Sequence, residues 1–231
     1  MPYRRLPNTD IARIKALKTA IEKAYNTAYQ ELAISPATLD TAKSTLIQFE
    51  NLHSRYQQSF ETQVQANKTF QVKVKNARMY ISHFIQVLYM CVIRGEIKED
   101  QLQWYGLESY NLVVPDLSTN ELLMEWGKKI IEGESARTSR GGTPIYNPSV
   151  AKLNVMFSQF KDGFHAQKLH QKTTTTLHEK TIQYREVVDS VIFDIWEQVE
   201  KYNVDFSMEK WIEKNREYGV VYYYRKGEVV E

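Results

Sequence analysis

At 231 residues the chain has room for one sizeable domain or two small ones, each able to bury a core. Its 42% hydrophobic and 25% charged content is ordinary for a globular protein, and six Pro with nine Gly are too few for a turn-rich β fold. A net charge of +2 gives no global field that would compel a nucleic-acid or membrane partner, and the single cysteine excludes an internal disulfide.

Met1-Pro2-Tyr3-Arg4-Arg5-Leu6-Pro7 has basic residues but no apolar stretch behind them, so it does not read as a secretory signal. Asn8-Thr9-Asp10 offers N-cap side chains. Ile11, Ile14, Leu17, Ile21, Tyr25, Ala28 and Leu32 then recur at helical spacing, which predicts a helix over about 9–33. Ser35-Pro36 ends it and opens the next, with Pro36 at the first helical position, where a missing amide costs nothing. Between Pro36 and Arg94 there is neither Gly nor another Pro. Leu46, His53, Phe60, Asn67, Val74, Ile81 and Leu88 step by seven, and Ala42, Phe49, Tyr56, Gln63, Phe70, Ala77, Phe84 and Cys91 keep the same phase. A seam in register for so long predicts one helix over about 36–94. Gln63 and Asn67 interrupt the seam, and a break there is the alternative. Met79–Ile93 is apolar but too short for a membrane span, and Ser82, His83 and Gln86 interrupt it. With Cys91 in this run and no signal or span, the expected location is cytoplasmic, with no membrane partner.

Gly95 stops that helix, and Glu96–Leu117 reads as a connector with a short helical turn and a β-like stretch, Asn111-Leu112-Val113-Val114. Ser118 and Glu121 form a capping box, opening a helix over about 119–132 that Gly133 closes, with a loop from 134 to 147. Asn147 as N-cap and Pro148 at the first position open a second long helix, about 148–202. Its apolar seam runs through Leu153, Phe157, Phe160 and Phe164, then resumes out of phase at Leu177, Tyr184, Val188 and Ile195. The polar stretch His165–Thr176 between them holds four consecutive threonines, and Gly163 is the one breaker. Ser207 caps a short helix, Gly219 stops it, and Val220-Val221-Tyr222-Tyr223-Tyr224 reads as a strand. A lone strand needs a mate, which is either Asn111–Val114 or a second subunit.

The fold class expected is mostly α: an elongated antiparallel helical bundle on two long helices, about 36–94 and 148–202, with one short C-terminal strand. Laid antiparallel, the polar middles near 63–67 and 165–176 coincide. That arrangement predicts a single domain, 1–231, of two lobes: one from 9–60 with 177–202, the other from 70–164. Residues 205–231 add the C-terminal helix and strand.

Tyr3-Arg4-Arg5-Leu6-Pro7-Asn8-Thr9-Asp10, Gly141-Gly142-Thr143-Pro144-Ile145-Tyr146-Asn147-Pro148 and Glu217-Tyr218-Gly219-Val220-Val221-Tyr222-Tyr223-Tyr224-Arg225-Lys226 look familiar together. With Ala77–Gln86 and Trp126–Glu132 between them, the chain resembles an uncharacterised family of helical proteins of Bacteroidetes-type bacteria. The resemblance covers nearly the whole chain, implies a bacterial cytoplasmic protein, and brings no activity and no site residues.

Glu50-x-x-His53 and Asp162-x-x-His165 have the spacing of carboxylate–histidine pairs in di-metal helical bundles. No matching carboxylates project from the other seams, so the plainer reading is a polar residue fixing helix register and a solvent-facing pair. Arg137, Arg140, Gly141, Gly142 and Thr143 combine cations, glycines and a following helix N-terminus, the ingredients of an anion site; an ordinary connection between helices is the plain alternative. Lys68, Lys75 and Arg78 lie in a stretch without acidic residues, and Lys161, Lys168 and Lys172 share one face of the second long helix. Such stripes attract phosphates, although neither carries alternating aromatics for base stacking. Val220, Tyr222, Tyr223 and Tyr224 are candidate interface residues. Cys91 lies in an apolar helix, where thiols are inert, and no nucleophile–histidine pair is visible.

These features read as a non-enzymatic structural or protein-interaction scaffold, working as a homo-oligomer or with another protein, with no catalytic, metal or cofactor residues assigned. The alternative is a nucleic-acid-binding accessory protein that uses the basic stripes and the Arg137–Gly142 loop.

Overall fold

The computed structural model describes residues 2–225. The elements in order are β1 (Tyr3–Arg4), α1 (Asp10–Tyr25), a 3-10 turn (Tyr29–Glu31), α2 (Pro36–Ile93), a second 3-10 segment (Glu99–Tyr105), α3 (Asn120–Ser139), α4 (Val150–Tyr202), α5 (Met208–Glu217) and β2 (Tyr222–Tyr223). The chain is thus mostly α-helical, dominated by α2 and α4. Among the described residues no helix is long and apolar enough to cross a membrane.

Thr9 caps α1, its hydroxyl accepting from the Ala12 amide at 3.2 Å. The helix ends at Tyr25, short of Leu32. Thr27 bonds back to the Lys23 carbonyl, and breaking the helix there lets Ala33 and Ile34 turn into the core, where they are 7% and 2% exposed. Ser35 supplies the cap of α2, accepting from the Thr38 amide at 3.2 Å. The helix then runs unbroken through Gln63 and Asn67. Gln63 is half-buried and Asn67 exposed, so neither interrupts the backbone nor leaves a desolvated amide behind.

The helix α4 likewise continues through the threonine run. The hydroxyl of buried Thr174 bonds that of Ser59 at 2.9 Å, and Thr181 donates to the Leu177 carbonyl at 2.9 Å. Gly163 does not break α4, because its space is needed: a Cβ there would lie 2.9 Å from the Phe70 ring.

Other sequence expectations are corrected as well. Gly133 does not close α3, which continues to Ser139; a side chain at 133 would meet the Tyr105 ring at 2.6 Å and the Trp104 carbonyl oxygen at 2.8 Å. The glycine there serves close packing rather than a stop. The cap of α3 is Thr119, accepting from Leu122 at 3.1 Å, because Asp116 already holds Ser118 through its amide and hydroxyl. Ser149, not Asn147, caps α4, accepting from the Lys152 amide at 3.3 Å. Asn111–Val114 is not a strand, since Asn111 and Leu112 have φ of 47° and 62°. The mate of β2 is β1, antiparallel, with Tyr3 opposite Tyr223 and Arg4 opposite Tyr222.

The chain divides into two compact units, one of Met1–Phe60 with Thr173–Glu231 and one of Glu61–Lys172, so each long helix contributes a segment to both. In the first unit Leu17 and Ile21 of α1, Phe49 of α2, and Val188, Ile192, Trp196 and Val199 of α4 form the core, closed by Ile212, Tyr218, Val220 and Tyr222. Charges are paired around it: Arg13 grips Asp189 with two bonds of 2.7 and 2.8 Å, and Arg185 grips Asp10 with the same two lengths. In the second unit Phe70, Ile81, Phe84 and Leu88 of α2 pack with Leu123, Trp126 and Ile130 of α3, Leu153, Phe157 and Phe160 of α4, and Leu102, Tyr105 and Leu107 of the connector.

Candidate functional site

Inside the Glu61–Lys172 unit, α3 carries Glu134 and Arg137 one turn apart, 0% and 2% exposed. Arg137 donates to both Glu134 carboxylate oxygens at 2.9 and 3.0 Å, to the Tyr105 hydroxyl at 2.8 Å and to the Thr143 carbonyl at 2.8 Å. Tyr105 donates to Glu134, and the other carboxylate oxygen accepts from the Ile145 amide at 3.0 Å. Burial first, then the neighbouring carboxylate, pushes the Tyr105 hydroxyl far above its ordinary value, so it remains a donor. The cluster ties α3 to the connector on one side and to the 143–145 segment on the other.

The residues expected to form an anion loop make contacts within the fold. Arg137 has its charge matched by a buried carboxylate. The Arg140 guanidinium lies 4.8 Å from the Trp104 ring centroid and bonds the Ala136 carbonyl at 3.1 Å. Gly141, at φ 89°, and Gly142 turn the chain with their amides bonded to the Thr138 and Arg137 carbonyls. Thr143 gives its carbonyl to Arg137. The segment is the C-terminal end of α3, where the helix dipole is negative, the wrong sign for an anion. Tyr105 and Glu134 were invisible as partners in the sequence; only the three-residue spacing of Glu134 and Arg137 hinted at a pair.

Of the basic residues, Lys68, Lys75, Lys161 and Lys172 are exposed and have no ion-pair partner among the described residues. The Lys168 ammonium sits 4.3 Å from the Phe164 ring centroid. Arg78 is occupied in holding the connector, donating to the Leu117 and Ser118 carbonyls at 2.9 Å each.

The same segment of α2 has a second apolar stripe besides the one facing the core. Val72, Met79, Met90 and Ile93 are 60%, 54%, 55% and 70% exposed. They follow the three- and four-residue steps of one helix face, with exposed His83 and Gln86 completing it. Lys68 and Lys75 flank its N-terminal part, and exposed Glu99 and Asp100 follow its C-terminal end beyond the Gly95 turn. The signal was present in the sequence but masked, because the core seam of α2 is apolar as well.

Near the C-terminus Val220 and Tyr222 belong to the core at 2% and 7% exposure, while Tyr223 and Tyr224 face solvent. The Tyr222 hydroxyl donates to Glu200 at 2.6 Å and accepts from Asn215 at 2.9 Å. Burial and Glu200 push its ionisation well up. Glu50 is paired with Lys18 at 2.7 Å, His53 lies 3.8 Å from Asp10, and Asp162 and His165 are exposed. No group of three or more metal-ligating side chains occurs among the described residues. Burial, reinforced by Glu96, pushes the Cys91 thiol up, away from its reactive form. No protein-family model, curated protein or solved structure matches this chain.

Proposed function

We propose that the protein is a non-enzymatic scaffold that works as a homo-oligomer, joined through the solvent face of α2 in the Glu61–Lys172 unit. The observation that carries this reading is the exposed stripe Val72, Met79, Met90 and Ile93, four large apolar side chains on one helix face, each more than half exposed. A second copy of the same helix, antiparallel, suits this face. It sets Val72 opposite Ile93, Met79 opposite Gln86 and Lys75 opposite Met90, with the two-fold axis beside Ser82 and His83. Lys68 at one end of the stripe then approaches the Glu99 and Asp100 end of the partner, so charge as well as shape selects the antiparallel order.

The register gives a direct test. His83→Cys lies at the axis and is expected to form an intermolecular disulfide under mild oxidation, while Val72→Cys, far from its own copy, is not. Equal crosslinking at both positions, or at neither, overturns the antiparallel pairing.

One observation favours a second reading. Lys68, Lys75, Lys161 and Lys172 are exposed without ion-pair partners among the described residues, as phosphate contacts of a nucleic-acid-binding accessory protein are. That reading predicts retention on heparin that weakens steeply with salt and is lost when Lys68, Lys75 and Lys168 are neutralised.

A further inference from the structure

A cavity of about 570 Å3 opens in the first unit between the N-terminal segment, α1 and the end of the chain after α5. Its apolar walls are Leu6, Pro7, Ala16, Val220 and Tyr222. Three cations line it, Arg5, Lys15 and Arg216, and among the described residues no aspartate or glutamate does. Elsewhere in this unit several cations are matched at close range: Arg4 meets Glu200 at 2.7 Å, Arg13 meets Asp189 at 2.7 Å, Lys18 meets Glu50 at 2.7 Å and Arg185 meets Asp10 at 2.7 Å. Arg5, Lys15 and Arg216 gather around one hollow with no ion-pair partner among the described residues.

We propose that this cavity is a binding site for a small phosphorylated organic molecule. Three positive charges around one concavity repel one another, and an anion of two or more charges relieves that repulsion. Arg5 and Arg216 bring planar forks that match phosphate oxygens bidentately, and Lys15 adds a point charge. Thr9, the cap of α1, and Ala12, in its first turn, also line the cavity and place the positive end of that sixteen-residue helix beside it. Asp10, the one acid in that turn, is drawn away by Arg185 and Arg13 and does not face the cavity. The organic part of the ligand lies against Leu6, Pro7 and Val220, and the volume falls within the range of small-molecule pockets. This site lies in the Met1–Phe60 and Thr173–Glu231 unit, the α2 stripe in the other, and it stands independently of the scaffold reading.

The test is calorimetric titration of the full chain with inorganic phosphate and with phenyl phosphate, at two salt concentrations. Saturable binding of one equivalent is expected, with phenyl phosphate favoured over inorganic phosphate because of the apolar wall. Arg5→Gln, Lys15→Gln and Arg216→Gln should each weaken binding about tenfold, the strength of one charge-assisted contact. Lys98→Gln, in the other unit, should leave it unchanged. All three cations are exposed, so the variants keep their helical circular dichroism; Lys15→Glu, on an open helix face, is the arm least able to disturb the fold. Absence of binding by the wild-type protein, or binding unmoved by Lys15→Glu, overturns the proposal. Weak binding to both probes with equal loss in Lys98→Gln marks non-specific ion attraction and overturns it as well.

Discussion

Arg137 and Glu134 face each other one turn apart on α3, 2.9 Å from nitrogen to oxygen, both sealed from water by the connector and the 143–145 segment. A buried ion pair gains little net stability over a well-packed apolar pair, but its halves cannot be separated cheaply. Arg137→Met should therefore cost about 3–5 kcal/mol by leaving the Glu134 carboxylate buried without its cation. Glu134→Gln in the same chain should recover part of that loss, and Tyr105→Phe alone should cost about 1–3 kcal/mol by removing one bond to a buried group. Urea denaturation of the three variants measures each value, and additive losses in the double variant contradict the pairing.

Gly133→Ala poses two opposed effects. Alanine in a helix interior is favoured over glycine by about 1 kcal/mol, whereas overpacking costs about 1–3 kcal/mol. Here the added carbon meets the Trp104 carbonyl oxygen at 2.8 Å, a backbone atom that cannot swing aside like a side-chain tip. The clash should win, lowering the urea midpoint, and a raised midpoint would show that the connector yields.

On the acid side, the Lys23 ammonium bonded at 2.5 Å holds the Glu217 carboxyl below its ordinary value of 4.5, with burial opposing. A carboxyl lowered by folding contributes stability that is fully present above the ordinary value and lost as pH falls through the folded one. The pair is about a third exposed on each side, so the contribution is under about 1 kcal/mol. Glu217→Gln should be less stable than the wild type at pH 7, and the gap should close at pH 3. A gap of the same size at both pH values would falsify the linkage.

Much of the fold was legible because helix signals are local. Thr9, Ser35-Pro36, Gly95 and Gly219 each mark an end through one side chain or one left-handed turn, and the structure uses all four. What failed was whatever depends on a partner distant in the chain. Gly133 reads as a stop until the Tyr105 ring is seen against it, and Val113-Val114 reads as a strand until Tyr3–Arg4 takes its place beside Tyr222–Tyr223. The candidate sites suffered in the same way. Beyond the Glu134 spacing, nothing in the sequence shows what Arg137 and Arg140 meet, because Tyr105 and Trp104 lie more than thirty positions upstream. The α2 stripe was hidden for a different reason: a helix with two apolar faces has no single phase to read.

The claim on which the scaffold reading turns is that the exposed α2 face is where two copies meet. Light scattering of the wild type beside Met79→Glu measures it most directly. Met79 is half exposed and is not one of the buried core residues, so the substitution should leave helicity and thermal midpoint unchanged while converting a dimer to a monomer. A wild-type chain that is monomeric across the accessible concentration range, or a dimer that survives Met79→Glu intact, contradicts the account.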